Sequence, residues 1–294
     1  MLSQILVFGA SGQIGGAICK KLGKDVIGLT SSDLDFKNPD KIAAAISHYD
    51  PKIIINAAAY TAVDLAEKEE SIAHLINAES PKVLAAIAKA KNIPLIHFST
   101  DYVFSGEGTK PWTEGDKTSP INAYGRTKLD GEKMIAEVGG KYLIFRTSWV
   151  FSHTGKNFVN TMLRMGDEKE VISVVNDQIG SPSYAEDIAA AVLQAIDKAL
   201  EMDNFPTDIY HLRNSGETNW FEFAEKIFSH ATRNKIKLAV KEVKPIKTSQ
   251  FPTPAKRPLN SRLNTAKLEK TFGVTLPNWE DALERCIKEI AKKR

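Results

Sequence analysis

The chain has 294 residues, 43% of them hydrophobic and 26% charged, with a net charge of +3. That composition suits a globular protein with a sizeable core, and so small a positive surplus gives no reason to expect nucleic acid or a membrane surface as partner. Its two cysteines, Cys19 and Cys286, are too few for a disulfide framework and no Cys/His spacing suits zinc, so no metal is expected and the cytoplasm is the expected compartment.

Ile5–Phe8 is a short apolar run that reads as a buried parallel strand. The chain enters it almost at once, which leaves no room for a signal peptide, and no later apolar run approaches the roughly 20 residues of a membrane span. Gly9, Gly12 and Gly15 follow in a GxxGxxG spacing and lead into a helix over 16–22. This is the setting a dinucleotide requires. The first glycine permits the sharp turn, the second lets the backbone approach a pyrophosphate, and the third allows close helix–strand packing. The helix N-terminus offers free N–H groups to the anion. A second strand, 26–29, ends without a carboxylate, in Thr30, Ser31 and Ser32, with Asp33 beyond. Small hydroxyls can hydrogen-bond a 2′-phosphate and do not repel it, so the expected cofactor is NADPH, with NADH possible. Lys20 or Lys21 is either a further source of charge for it or simply solvated.

Residues 53–55, 95–98 and 142–145 read as strands, and 80–91 as a helix with Pro81 in its first turn. The alternation predicts an α/β fold with a Rossmann-like, doubly wound parallel sheet covered on both faces. Ligands of such sheets bind beyond the carboxyl ends of the strands. Beyond about residue 150 the texture changes. Helices are expected over 156–165, 184–200, 220–231 and 278–292, and strands at 171–175 and 207–212. Residues 177–184 read as a polar loop and 245–258 as a proline-rich arm or lid. The expected division is a cofactor-binding domain over 1–150, to which segments near 184–214 return, and a mainly substrate-binding cap over 151–294.

Tyr124 and Lys128 stand four residues apart, on one face of the helix expected there. A free phenol titrates near pH ~10. A fixed cation beside it favours the phenolate and lowers that value, which predicts a proton donor tuned for a carbonyl oxygen. The pair alone also fits an amphipathic surface helix with one anchoring aromatic. Thr100 ends a strand about one crossover earlier; it is either a turn hydroxyl or a second donor to the same oxygen.

Further segments extend this pattern: 56–64 (NAAAYTAVD), 77–80 (NAES), 98–104 (FSTDYVF), 124–132 (YGRTKLDGE), 146–150 (RTSWV), 157–162 (NFVNTM), 175–182 (VNDQIGSP) and 252–258 (PTPAKRP). In them the chain resembles the extended short-chain dehydrogenase/reductase superfamily and, within it, the dTDP-4-dehydrorhamnose reductase family. The resemblance implies NADPH-dependent reduction of the C4 keto group of dTDP-4-dehydro-L-rhamnose to dTDP-L-rhamnose. Tyr124 would be the proton donor, Thr100 a hydrogen-bonding partner of the same oxygen, and Lys128 the group that lowers the Tyr124 pKa and holds the nicotinamide ribose. Gly9, Gly12, Gln13, Ile14 and Gly15 would form the pyrophosphate turn, and Asp35 and Phe36 would flank the adenine. Ala57, Ala58, Ala59 and Tyr60 would line the cofactor groove. Thr100 and Asp101 would contact the sugar and Trp149 would pack on it, with Asn157, Gln178 and Arg257 at the nucleotide-diphosphate end. The implied partner is a small nucleotide sugar, and the implied assembly a monomer or weak homodimer.

Two single positions and one short stretch depart from the pattern. Ala17 stands where some relatives carry the carboxylate of a metal-bridged dimer, so that dimer is not expected. Ser183 replaces the usual threonine, and Phe151–Thr154 replaces a Tyr-Gly stretch next to the sugar. His153, in that stretch, reads as a surface-loop histidine. Two other readings remain. One is another nucleotide-sugar reductase, epimerase or dehydratase, with Asp101 beside Thr100 as acid/base. The other is a non-catalytic NADP-binding regulatory subunit of the methionine adenosyltransferase type, which the presence of both Tyr124 and Lys128 disfavours.

Overall fold

The first strand, β1 (Ile5–Phe8), is buried along its whole length, as an apolar run covered on both faces must be. The structure, a computed structural model, describes residues 5–294; the first four residues of the expected N-terminal domain lie outside them. From β1 the chain alternates through α1 (Gln13–Leu22), β2 (Val26–Leu29), α2 (Asp40–Tyr49) and β3 (Ile53–Asn56). Two short helices, α3 (Val63–Ala66) and α4 (Glu70–His74), precede α5 (Ser80–Ala90), β4 (Leu95–Thr100), α6 (Ala123–Val138) and β5 (Tyr142–Thr147). Then come β6 (Val150–Phe151), α7 (Phe158–Glu168), β7 (Val171–Val175), β8 (Ile179–Gly180), β9 (Ser183–Tyr184), α8 (Ala185–Glu201) and β10 (Asp208–His211). The chain ends with β11 (Thr218–Asn219), α9 (Trp220–Arg233), β12 (Glu242–Ile246), α10 (Ala266–Phe272) and α11 (Trp279–Ala291).

Six strands form one parallel sheet in the order β10-β5-β4-β3-β1-β2. This is the expected Rossmann-like, doubly wound α/β fold. From β1 the chain first moves outward to β2 and then to β3 on the other side. Helices diverge at that reversal and leave a crevice beyond the ends of β1 and β3, the place where such sheets take their ligands. Two apolar layers cover the sheet: α1, α8 and α10 on one face, and α2, α5 and α6 on the other. A separate cluster, built on Val159, Met162, Phe223, Ile227, Leu283 and Ile287, joins α7, α9 and α11 to β7.

Local details differ from the sequence reading. The first helix begins at Gln13, within the glycine turn. Helices α2, α3, α4 and α10 escaped the sequence reading. The polar loop at 177–184 contains β8 and β9. The start of the proline-rich arm belongs to β12, which pairs with β7 alone; an edge position tolerates Pro245, which has no N–H to donate. Farther on, the arm is tied down: Ala255 N donates to Asp64 at 3.2 Å and Asn122 Nδ2 to the Lys256 carbonyl at 2.8 Å. No helix among the described residues is long and apolar enough to cross a membrane.

Candidate active site

The crevice is a cavity of about 700 Å³ above the ends of β1, β3, β4 and β5. Its floor is the glycine turn. Gly9 adopts φ +79°, and a Cβ there would meet the Ala57 and Ala58 backbone at 2.6 Å, so only glycine lets the β1 and β3 loops close on each other. No side chain caps α1 at Gly12. Gly12, Gln13 and Ile14 line the cavity, as do Ala57, Ala58, Ala59, Asp35 and Phe36. This floor, a helix N-terminus with backbone closely approached, fits the diphosphate of a dinucleotide. Gly15 is a packing position beneath the Gly9 carbonyl and does not line the cavity.

At the end of β2, Thr30 and Ser31 line the same cavity. The Thr30 hydroxyl is already engaged: it donates to Asp33 Oδ2 at 2.7 Å, and the Thr30 N–H does so at 2.8 Å. These bonds hold the Asp33 carboxyl below the usual range. A carboxylate therefore does stand at the end of β2, three residues later than the usual place. Lys20 is turned away, to Glu186 at 3.2 Å.

The reacting end lies between β4 and α6. Thr100, Asp101, Tyr124 and Lys128 line one wall, because β4 ends at Thr100 and Asn122 caps α6 by accepting from Gly125 N at 2.8 Å. Thr100 donates to Asp101 Oδ1 at 3.1 Å. The other oxygen, Asp101 Oδ2, is buried without a partner, and burial raises this carboxyl to about 7. The Tyr124 phenol is raised to about 12, first by burial and then by the Asp101 charge, while the Thr100 hydroxyl pulls the other way. The expectation that Lys128 depresses this phenol is not met. The ammonium is directed instead to the Phe98 carbonyl at 2.6 Å and to His97 Nε2 at 3.2 Å, and burial brings Lys128 itself down to about 8 against the opposing pull of Glu132. An i, i+4 spacing puts two Cβ atoms on one face but does not decide where a long side chain ends.

Trp149, Asn157 and Trp220 supply the opposite wall. Trp149 has φ +48°, a conformation a bulky residue adopts only when its surroundings impose it. Here they do: Trp220 stacks on its ring at 3.6 Å and 14°. A Cβ at Gly180 would meet that ring at 2.7 Å. Asn157 caps α7 and donates to Gln13 Oε1 at 3.0 Å, joining α7 to the glycine turn.

Three other expected residues stand outside the lining. The Tyr60 hydroxyl donates to Glu69 at 2.7 Å, and its ring packs among Ala66, Ala73 and Ala123. Gln178 accepts from Trp220 Nε1 at 3.0 Å and donates to Thr248 at 3.1 Å, so it braces the tryptophan stack. Arg257 is held by Asp64 at 2.7 Å. The sequence reading also missed several residues. Trp220 and Lys156 line the cavity. Behind Thr100, the buried Glu132 accepts from Ser99 and takes a bidentate pair of bonds from Arg146, at 2.9 and 2.6 Å. The segments 124–132 and 146–150 contained both partners, but nothing local signalled that they pair.

Comparison with known proteins accords with this geometry. The family model for the RmlD substrate binding domain matches residues 3–292. The dTDP-4-dehydrorhamnose reductase of Escherichia coli K12 is 44% identical over 97% of each chain. The Bacillus anthracis dTDP-4-dehydrorhamnose reductase, solved in complex with NADP, is 37% identical, superposes with a TM-score of 0.90, and matches over 98% of this chain and 100% of its own. A Clostridium acetobutylicum dTDP-4-dehydrorhamnose reductase ortholog superposes equally well, at 39% identity over 97% of this chain and 99% of its own.

Proposed function

The chain belongs to the dTDP-4-dehydrorhamnose reductase family, and we propose that its cavity reduces the C4 keto group of dTDP-4-dehydro-L-rhamnose to give dTDP-L-rhamnose at the expense of NADPH. The observation that carries this reading is the meeting of Thr100, Tyr124 and Lys128 in one cavity with an uncapped helix N-terminus at its other end.

NADPH, when bound, supplies hydride to the ketone carbon. Gly9, Gly12, Gln13 and Ile14 would hold its diphosphate, Asp35 and Phe36 its adenine, and Ala57, Ala58 and Ala59 the middle of the groove. Tyr124 gives its proton to the C4 oxygen. With its pKa at about 12, the phenol is protonated at neutral pH and so carries the proton that the C4 oxygen must receive. Thr100 hydrogen-bonds the same oxygen, where negative charge develops, and such a donor is worth most where water is excluded. Lys128 stays charged in most molecules at pH 7, with its pKa at about 8, and would hold the nicotinamide ribose from the wall of the cavity that it lines. Asp101 contacts the sugar, and Trp149, backed by Trp220, forms a flat wall for it. Asn157 closes the cap onto the glycine turn. Gly15, Tyr60 and Gln178 act one step back, through the turn, the Tyr124 pocket and the tryptophan stack. Arg257 reaches the nucleotide diphosphate only by leaving Asp64.

The same reading includes a cofactor-binding domain over 1–150, joined by segments near 184–214, and a cap over 151–294. It includes a cytoplasmic monomer or weak homodimer, because Ala17 offers no carboxylate for a metal bridge. The test is to mix the protein with dTDP-4-dehydro-L-rhamnose and follow the reduced-nicotinamide absorbance. Stoichiometric loss of NADPH is expected. An unchanged absorbance with properly folded protein overturns the proposal.

A further inference from the structure

His97 lies at the centre of β4, fully buried, and the chemistry assigned to the site makes no use of it. Its ring joins the buried Asn56, just behind the cofactor groove, to Lys128, which lines the cavity. On one side, Asn56 Nδ2 lies 3.0 Å from His97 Nδ1. On the other, His97 Nε2 lies 3.2 Å from Lys128 Nζ. Asn56 Oδ1 is occupied, since it accepts from Ala58 N at 3.1 Å. The run thus begins at the backbone of the cofactor groove and ends at the reacting wall.

Counting donors fixes its direction. The Ala58 N–H can only donate, so the Asn56 oxygen must face it and the Asn56 amide nitrogen must face the ring. His97 Nδ1 then accepts, and a neutral imidazole carries its one proton on Nε2. That proton points at Lys128 Nζ. An amine can accept it with its lone pair, whereas an ammonium meets it donor against donor. The ring cannot escape by taking a second proton, because burial and the neighbouring lysine hold His97 well below its ordinary value. The ammonium can be accommodated only if the Asn56 amide turns over, which leaves the Ala58 N–H without its acceptor. Nζ also donates to the Phe98 carbonyl at 2.6 Å, which leaves its remaining direction for the cavity that Lys128 lines.

We propose that His97, oriented by Asn56, is the positioning residue of Lys128: it aims the side chain and biases it towards the uncharged amine. This rests on the assignment of Tyr124 and Lys128 as the reacting pair. Burial alone already lowers the lysine, and the other side chains around Nζ add nothing in that direction. Glu132, one turn on, raises the lysine and is itself paired with Arg146 of β5. Asn77 of the turn before α5 is uncharged and spends its amide on Thr127 and the Tyr60 carbonyl. Tyr124 and Asp101 share the cavity, and a carboxylate there favours the ammonium. Of the side chains within hydrogen-bond reach of Nζ, His97 is the one that disfavours charge. A lysine whose charge is so balanced changes state near working pH, and its state is linked to the Ala58 backbone in the cofactor groove.

Two measurements decide the matter. In the unmodified protein labelled with 15N-histidine, the His97 ring should show a protonated Nε2 and a bare Nδ1 across neutral pH; a proton on Nδ1 overturns the inference. The pH profile of kcat for NADPH oxidation should have an alkaline limb set by Lys128. His97→Asn keeps a polar group facing Asn56 but no longer reaches Nζ, and should move that limb up by about one pH unit. A limb that stays in place in folded His97→Asn protein reduces His97 to packing. Lys128→Met separates this from the underlying assignment: it should lose most turnover and the limb with it. Near-normal turnover in Lys128→Met sinks the Tyr124–Lys128 assignment itself, whatever His97 does.

Discussion

Replacing Asp101 by Asn tests how the cavity holds a buried carboxyl. Asp101 is almost fully buried, has no cationic partner, and leaves Oδ2 unpaired. Its pKa in the folded chain is about 7 against an ordinary 3.8. A carboxyl whose folded value is raised costs nothing below the unfolded pKa, where both states are protonated. The cost grows as pH climbs through the interval and is complete above the folded pKa. A displacement of roughly three pH units at about 1.4 kcal/mol each gives a full cost of about 4 kcal/mol, of which about 2.5 kcal/mol accrues between pH 5 and pH 8. Asn cannot ionise and escapes this cost. It places an amide where Oδ2 had no partner, which costs about 1–3 kcal/mol, but equally at both pH values. The informative quantity is therefore the change in the mutant-minus-parent difference. Urea unfolding of both proteins at pH 5 and pH 8, with m unchanged, should show Asp101→Asn gaining about 2.5 kcal/mol on the parent across that window. A difference that stays flat would mean that the carboxyl is ionised in the folded chain at pH 5, and would refute the reasoning.

Two further outcomes follow from the geometry. Asp33 puts a negative charge beside Thr30, at the end of β2. Unit charges a few ångströms apart in water repel by about 1 kcal/mol, so Asp33→Asn should raise the ratio of kcat/KM for NADPH over NADH about fivefold; an unchanged ratio would place the 2′-phosphate elsewhere. Glu132→Gln halves the buried pair with Arg146, and leaving a charge buried without its partner typically costs about 3–5 kcal/mol. The urea midpoint should fall accordingly, and a midpoint within error of the parent would show that Arg146 finds another acceptor.

What the sequence made legible was local. A strand, three glycines at fixed spacing and a helix start lie within a dozen residues, and their geometry follows from backbone sterics alone. The same is true of Thr100 at a strand end and of Tyr124 and Lys128 on one helical face. Side-chain destinations were not legible, because distant segments decide them. Tyr60 sits in the right loop, but Glu69 captures its hydroxyl. Gln178 falls in a telling segment, yet it braces Trp220, a residue from another helix. Arg257 is chemically suited to phosphate and is met by Asp64. Lys128 shares a face with Tyr124 but ends on His97 and a strand carbonyl. The Trp149–Trp220 stack and the Glu132–Arg146 pair each join residues of separate elements, and no periodicity encodes that. Helix α2 was missed for a simpler reason: its first turn follows Pro39 with no side-chain cap, so nothing marked its start.

The most direct test of the account removes one oxygen atom. Tyr124→Phe keeps the ring that packs edge-on against Tyr102 at 5.7 Å and deletes only the proton donor. General-acid help of this kind is worth roughly 10²–10⁴ in rate. Turnover of dTDP-4-dehydro-L-rhamnose with NADPH should fall by that factor, with unfolding behaviour and cofactor affinity close to the parent. Turnover within a few-fold of the parent would contradict the claim that Tyr124 protonates the C4 oxygen.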